Sequence, residues 1–477
     1  MELGSVAIGC EGHRGSQLPL ELDRLCTSVG TDAPAIRSTT GRWRSDPETP
    51  TSETDGPRHA HRVPFRALSG LLVPSLVLAV GCVVETLRRP STVLHPELWA
   101  EDGRIWFQEA YDQGWLRPLT HPQVGYLQTF TRLVADAGLL IPLRLLPELF
   151  ALVALVIQVM PAVLIVSKRY TMSIPDLRVR LLFAALYLCI PNSSEVNVNL
   201  TDAQWHLGLL SVLVVLAVPA TGIWRVFDIL VICLSGLTGP FILSVVLVAA
   251  VLYWHRRQTW TLVLGGIAAA TGLVQVVAYM NSPRPYVGPL GASIPRFIDI
   301  VGGRFLANTI LGTATTISTA FTSHLYLYSA IALVLGLVVV GIAVWKGPLE
   351  LKLFNLFGFV ELCAALWSPL VSPHGAQWPA LALDAGSRYW LFPSLAFLVD
   401  VVWLAGQWRK GRRVWSVVGV VLTVVIVSFG AREDFRYPAV TGPSWPAQVA
   451  RFDRLTPHHT FVFQIGPPGW TMTLDKK

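Results

Sequence analysis

The stretch HPELWAEDGRIWFQEAYDQGW, residues 95–115, sets two adjacent carboxylates, Glu101 and Asp102, among Trp99, Trp106, Phe107, Tyr111 and Trp115. A carboxylate beside a wet, partly apolar surface can act as a general base when burial lifts its pKa or a hydrogen bond fixes its position. Neighbouring residues on a helix point about 100° apart. Both acids therefore face one substrate only if the backbone turns, and Gly103 permits a turn. Either acid has a plainer role open to it, capping the helix expected from Arg104 onward, where a carboxylate complements free amides and the helix dipole. The aromatic neighbours read as an interfacial belt or as platforms on which a sugar ring stacks.

A second set lies in NVNLTDAQWHLGLL, where Asn197, Asn199, Thr201, Asp202, Gln204 and His206 lead directly into an apolar run. Polar groups at such a boundary need partners or water, so together they predict a wet vestibule with Trp205 as a stacking surface. His206 taken alone reads equally as a structural hydrogen-bonder. A third set is cationic: Arg284, Arg296 and Arg304 in one loop, and Arg388 beside Tyr389 in GSRYW. Arginine on a solvated loop is ordinary, but its planar fork also grips phosphate oxygens two at a time. Arg104, next to the acid pair, joins the expected substrate contacts.

The elements that must position these groups are apolar. Of 477 residues 52% are hydrophobic and 14% charged, against about 25% charged in soluble domains. The composition is that of a polytopic membrane protein, with room for roughly ten spans of about 20 residues. The net charge of +7 is spread through loops, which fits topology control rather than nucleic-acid binding. Six cysteines follow no disulfide or zinc spacing,. No phosphate-binding glycine loop, dinucleotide fingerprint, zinc-protease or calcium-loop motif is present.

Residues 1–62 are polar and low in apolar periodicity, and read as a disordered cytoplasmic leader. Residues 63–430 form the expected transmembrane domain, and 431–477 an extracytoplasmic tail with a helix near 445–455 and a strand in HTFVFQIG. That tail either caps a cavity or packs on the surface. Apolar runs lie near 66–88, 147–167, 178–191, 204–219, 225–237, 240–254, 259–280, 324–345, 353–370, 388–405 and 414–430. Lys/Arg clusters between them become cytoplasmic with eleven crossings if 101–141 and 305–321 stay on the outer side as interface helices. If these segments cross instead, the count rises toward thirteen. The N-terminus is then cytoplasmic, and the acid-pair loop, the 191–206 loop, the SGLTGP turn and the 281–304 and 371–388 loops share the extracytoplasmic face.

LWAEDGRIWFQEAYDQGW, NVNLTDAQWHL, LSGLTGPF and SRYWLFPSLAFL resemble bacterial members of the GT-C glycosyltransferase superfamily. That superfamily includes the protein O-mannosyltransferases and the aminoarabinose transferases of lipid A, and the resemblance covers about residues 66–430. It implies an all-α helical bundle of about 11–13 spans in the cell membrane. It also implies transfer of a sugar, with inversion, from a polyprenyl-phosphate donor to an extracytoplasmic glycan, lipid or protein acceptor. The base it implies is Asp102 or Glu101, with Asp102 preferred. Some members use a divalent metal, which is not indicated here, and no other cofactor is expected. The competing expectation is a flippase or transporter of lipid-linked sugars, although no internal repeat is evident.

Overall fold

The computed structural model describes residues 65–282, 288–313, 325–372, 375–383, 385–407, 411–440 and 442–477. The expected leader and Arg284 lie outside the described residues. Each of the eleven apolar runs is a helix: α1 (Phe65–Arg88), α2 (Leu146–Val166), α3 (Leu177–Leu188), α4 (Ala203–Leu216), α5 (Ile223–Gly236), α6 (Ile242–Arg256), α7 (Thr259–Met280), α8 (Leu325–Lys346), α9 (Leu349–Trp367), α10 (Leu391–Ala405) and α11 (Arg413–Val425). Long stretches of Leu, Val and Ala satisfy their own backbone as helix, which is what an apolar solvent demands. Among the described residues, six helical segments are long and apolar enough to cross a membrane, while Ala203–Leu216 and Ile242–Arg256 are shorter. Outward faces are apolar too: Leu72, Leu76, Val80 and Val83 of α1 and Leu327, Ile331, Val334 and Leu337 of α8 are exposed. Only lipid covers such a band favourably, so the chain is a membrane protein.

The helices alternate in direction between two ends, and side-chain contacts define both. At the near end the Arg88 guanidinium donates to Leu188 O at 2.9 Å and Ile190 O at 2.7 Å, joining the C-termini of α1 and α3. Thr129 N donates to Leu237 O at 3.0 Å, bringing the first loop onto the α5–α6 turn. Gln275 Oε1, late in α7, accepts from Leu127 N at 2.8 Å. At the far end Arg169 grips Asp228 with both arms, at 2.5 and 2.9 Å, and Trp260 Nε1 adds a bond at 3.0 Å. Arg256 pairs there with Glu350. These contacts bring the α2–α3, α6–α7 and α8–α9 connections to one end, away from the near end.

The connection from α1 to α2 stays at the near end as short pieces: a π-helical segment Asp102–Phe107 running into Gln108–Gln113, then Thr129–Gly138. None approaches the roughly 20 residues a crossing takes. Of the other expected interface segment, Asn308–Leu311 is helical, and 314–324 lies outside the described residues.

The all-α expectation needs one amendment. The tail holds a helix, Trp445–Asp453, and an antiparallel hairpin, β1 (Thr460–Ile465) and β2 (Trp470–Asp475), in the register Phe463↔Met472. Residues Arg62–Lys477 form one unit. Ala100 N and Leu98 O bond Gly466 at 2.5 and 3.0 Å, so the tail continues the acid-pair loop as a short ribbon. Phe463, Ile465, Met472 and Leu474 are buried with Leu98, Trp106 and Phe107.

Arg88 is the knot of the near end. It is 1% exposed, lies 4.7 Å over the Tyr437 ring and bonds the Tyr437 hydroxyl. Arg88→Met strips the donors from two buried carbonyls and leaves Glu85 without its cation, a loss of about 2–5 kcal/mol. Thermal unfolding of the purified protein should show a clear drop for Arg88→Met, only partly recovered by Arg88→Lys, which lacks the fork. An unchanged midpoint would remove Arg88 from this role.

Candidate active site

The near end encloses a cavity of about 880 Å³. Glu101, Asp102, Asn199, Asp202, Gln204, Trp205, Arg388 and Tyr389, drawn from three separate stretches of sequence, all line it.

Asp102 is 4% exposed, and its Oδ1 accepts from Thr201 Oγ1 at 2.7 Å. Thr201 Oγ1 accepts in turn from Trp106 Nε1 at 3.0 Å. A carboxylate in the first loop is thus held through a hydroxyl to the strip that precedes α4. Burial above all, with the neighbouring Glu101 charge, pushes the Asp102 carboxyl up to about 7, against the pull of the Thr201 bond. Neither acid caps the helix: Glu101 stands at the capping position without a side-chain bond to it. The turn that lets both acids face the cavity comes from Ala100, at φ 44°, rather than from Gly103. Gly103 instead makes room for the tail, since a Cβ there would stand 3.0 Å from Ile465 Cδ1.

Across the cavity, Asp202 Oδ2 accepts from Asn199 Nδ2 at 2.9 Å. Burial pushes Asp202 up to about 8; Arg388 opposes this, while Glu195, Glu101 and Asp102 reinforce it. Two carboxyls poised near neutrality on one wet surface can hold and exchange protons at physiological pH. Arg388 already has partners: its Nη1 lies 3.3 Å from Glu195 Oε2, and its Nη2 donates to Leu370 O at 2.7 Å. Trp205 packs in an aromatic cluster, with ring centroids 4.5 Å from Phe241 and 5.7 Å from Tyr389.

Three expected site residues sit elsewhere. Arg104 is exposed on the opposite side of its helix, 5.5 Å over the Trp470 ring, because the tail hairpin takes that face. His206 lies one turn into α4, buried and bonded to Tyr187 Oη at 2.8 Å and Val196 O at 2.9 Å, a structural histidine away from the cavity. Arg304 is buried in the segment Asp299–Ala307, and its carbonyl accepts from Asn192 Nδ2 at 2.9 Å.

The cavity wall also contains groups outside the expected set, among them Arg89, Tyr126, Gln128, Glu195, Thr201 and Glu361. Arg89 lies 5.2 Å over the Tyr437 ring, and among the described residues no carboxylate pairs with it. Glu361, on α9, accepts from Ser244 Oγ at 2.5 Å. An acid inside an apolar run was a readable signal for Glu361, and a second arginine at the C-terminal end of the first run was one for Arg89. Tyr126 and Gln128 carry no such mark. Several acids share the cavity, yet among the described residues no group of three or more His, Cys, Asp or Glu side chains converges as metal ligands do.

Comparison with protein-family models and with curated proteins finds no match to this chain.

The raised Asp102 carboxyl makes a signed statement about stability. Folding favours its protonated form, so stability falls as pH rises from the ordinary aspartate range toward 7 and then levels off,. Asp102→Asn, which keeps an oxygen for Thr201, should raise the unfolding midpoint at pH 8, with the gain shrinking as pH falls toward 4. Differential scanning fluorimetry across that range checks the sign; a variant less stable at pH 8 would contradict the buried-acid reading.

Proposed function

We propose that this protein is a membrane glycosyltransferase that moves a sugar from a polyprenyl-phosphate donor to an extracytoplasmic acceptor, with inversion at the anomeric carbon. The observation that carries the reading is the convergence of Asp102, Asp202, Gln204, Trp205 and a cation on one cavity, at the end of the bundle opposite the Arg169 and Arg256 clusters. By the positive-inside rule the far end, with Arg169, Arg256 and the other clusters, is cytoplasmic. The cavity then faces outward, in a bundle of about eleven crossings with the loop pieces lying at the interface.

In this reading the Asp102 carboxylate takes the proton from the acceptor hydroxyl, and the freed oxygen attacks the anomeric carbon from the face opposite the phosphate. The carbon–oxygen bond to phosphate breaks, and its electron pair leaves with the polyprenyl phosphate. A cation placed where that charge develops lowers the barrier. Arg89 suits this better than Arg388, whose fork is occupied by Glu195 and Leu370 O. The acceptor is a glycan, lipid or protein hydroxyl. No metal enters the scheme.

A transporter of lipid-linked sugars would need a polar route through the bundle. A second cavity at the far end, about 360 Å³ and mostly apolar, shares no lining residue with the first. That separation favours chemistry at one face.

The test is release of polyprenyl phosphate from a radiolabelled polyprenyl-phosphate hexose by the full chain in liposomes, with cell-envelope extract as acceptor. Asp102→Asn should lower the rate by about 10²–10⁴-fold without loss of fold, and Arg89→Ala should raise the KM for the donor. Near-normal turnover by Asp102→Asn would exclude Asp102 as base.

A further inference from the structure

The cavity contains buried polar atoms that the proposed chemistry leaves unused. Gln128, Gln204 and Trp205 are 3%, 6% and 6% exposed, and all three line the cavity. Among the described residues, Gln128 Oε1, Gln204 Oε1 and Trp205 Nε1 have no hydrogen-bond partner. Buried polar groups are ordinarily satisfied, so a cluster left open on a cavity wall marks where a ligand bonds.

The cluster is built from several elements. Thr129 N on Leu237 O, and Phe130 N on Thr238 Oγ1 at 3.0 Å, dock the start of the helix Thr129–Gly138 onto the SGLTGP turn. That brings Gln128 to the turn. Gln204 enters from the first turn of α4, and its side chain is hydrogen-bonded to the Tyr126 hydroxyl. Gly239 makes room for it, since a Cβ there would stand 2.6 Å from Gln204 Oε1. The Trp205 ring lies 4.5 Å from the Phe241 ring, and among the described residues its N–H is unpaired.

The open atoms are neutral: two amide oxygens, which accept, and an indole N–H, which donates. Vicinal hydroxyls on a ring match that set, since each both donates and accepts while the ring carbons pack on indole. Two of the charged neighbours, Arg388 and Glu195, already pair with each other. We infer that the Gln128–Gln204–Trp205 wall is a subsite for an uncharged, polyhydroxylated sugar ring. The inference rests on the glycosyltransferase reading for which sugar arrives, but not for whether the pocket binds one.

Binding to the full chain in nanodiscs tests it with bare polyprenyl phosphate, a polyprenyl-phosphate neutral hexose, its amino-sugar counterpart and a soluble methyl hexoside. The neutral-hexose lipid should bind at least tenfold more tightly than the bare lipid. Gln204→Ala and Trp205→Phe should erase that increment while bare-lipid binding holds and the chain stays folded. Gly239→Ala, which displaces the Gln204 amide, should reduce it. Equal affinity for bare and hexose-bearing lipid, an amino-sugar preference, or variants that keep the increment would overturn the subsite. If no polyprenyl lipid binds but the methyl hexoside does, and Gln204→Ala abolishes that binding, the subsite stands and the donor reading falls. If neither binds, both fall.

Discussion

A carboxylate set among aromatic rings at the edge of an apolar bundle stays there only if something holds it. For Asp102 that is the hydroxyl of Thr201, itself fixed by the Trp106 indole. This two-bond chain couples the first loop to the strip ahead of α4, two stretches about a hundred residues apart in sequence. It ties two of the stretches that line the cavity to each other. The tail hairpin backs the arrangement from behind, burying Phe463 and Ile465 against Leu98 and Trp106. A single hydrogen bond is worth little net stability, but leaving such a carboxylate unpartnered costs far more. The geometry is therefore tightly specified around one acid.

The two ends of the molecule treat charge differently. At the far end Arg169 is matched to Asp228 and Arg256 to Glu350, pairs that satisfy each other and tie helices together. At the near end Arg88 bonds carbonyls at the ends of α1 and α3, and Arg132 is matched to Glu109 within the first connection. Some polar groups on the cavity wall are held short of full satisfaction. Two acids sit near neutrality, Arg89 lacks an acidic partner among the described residues, and neutral donors and acceptors stand open. Groups left in that state destabilise the fold slightly and gain their partners when a ligand enters, the usual exchange of stability for function.

Much of this was legible from residue types. Apolar runs bounded by Gly, Pro and charge became helices because an apolar environment leaves the backbone no alternative. The polar strip at the start of α4 was readable because such residues are expensive there. Side-chain direction was harder to read. Arg104 and His206 belong to the right motifs but point away, one toward a hairpin whose docking leaves no local trace, the other toward Tyr187 on a neighbouring helix. The turn at Ala100 escaped notice because a positive φ at alanine is imposed by tertiary contacts, here the ribbon with Gly466, and Gly103 looked the better candidate. Tyr126 and Gln128 became part of the cavity only through the docking of their helix on the α5–α6 turn, a pairing no spacing encodes.

The most direct measurement is an experimental structure of the full chain in nanodiscs with a bound polyprenyl-phosphate hexose. The account requires ring density against Trp205 and Gln204, the anomeric carbon toward Asp102, and the phosphate within reach of Arg89. Ligand density confined to the far-end cavity, or to the lipid-facing surface with the near-end cavity empty, would contradict it.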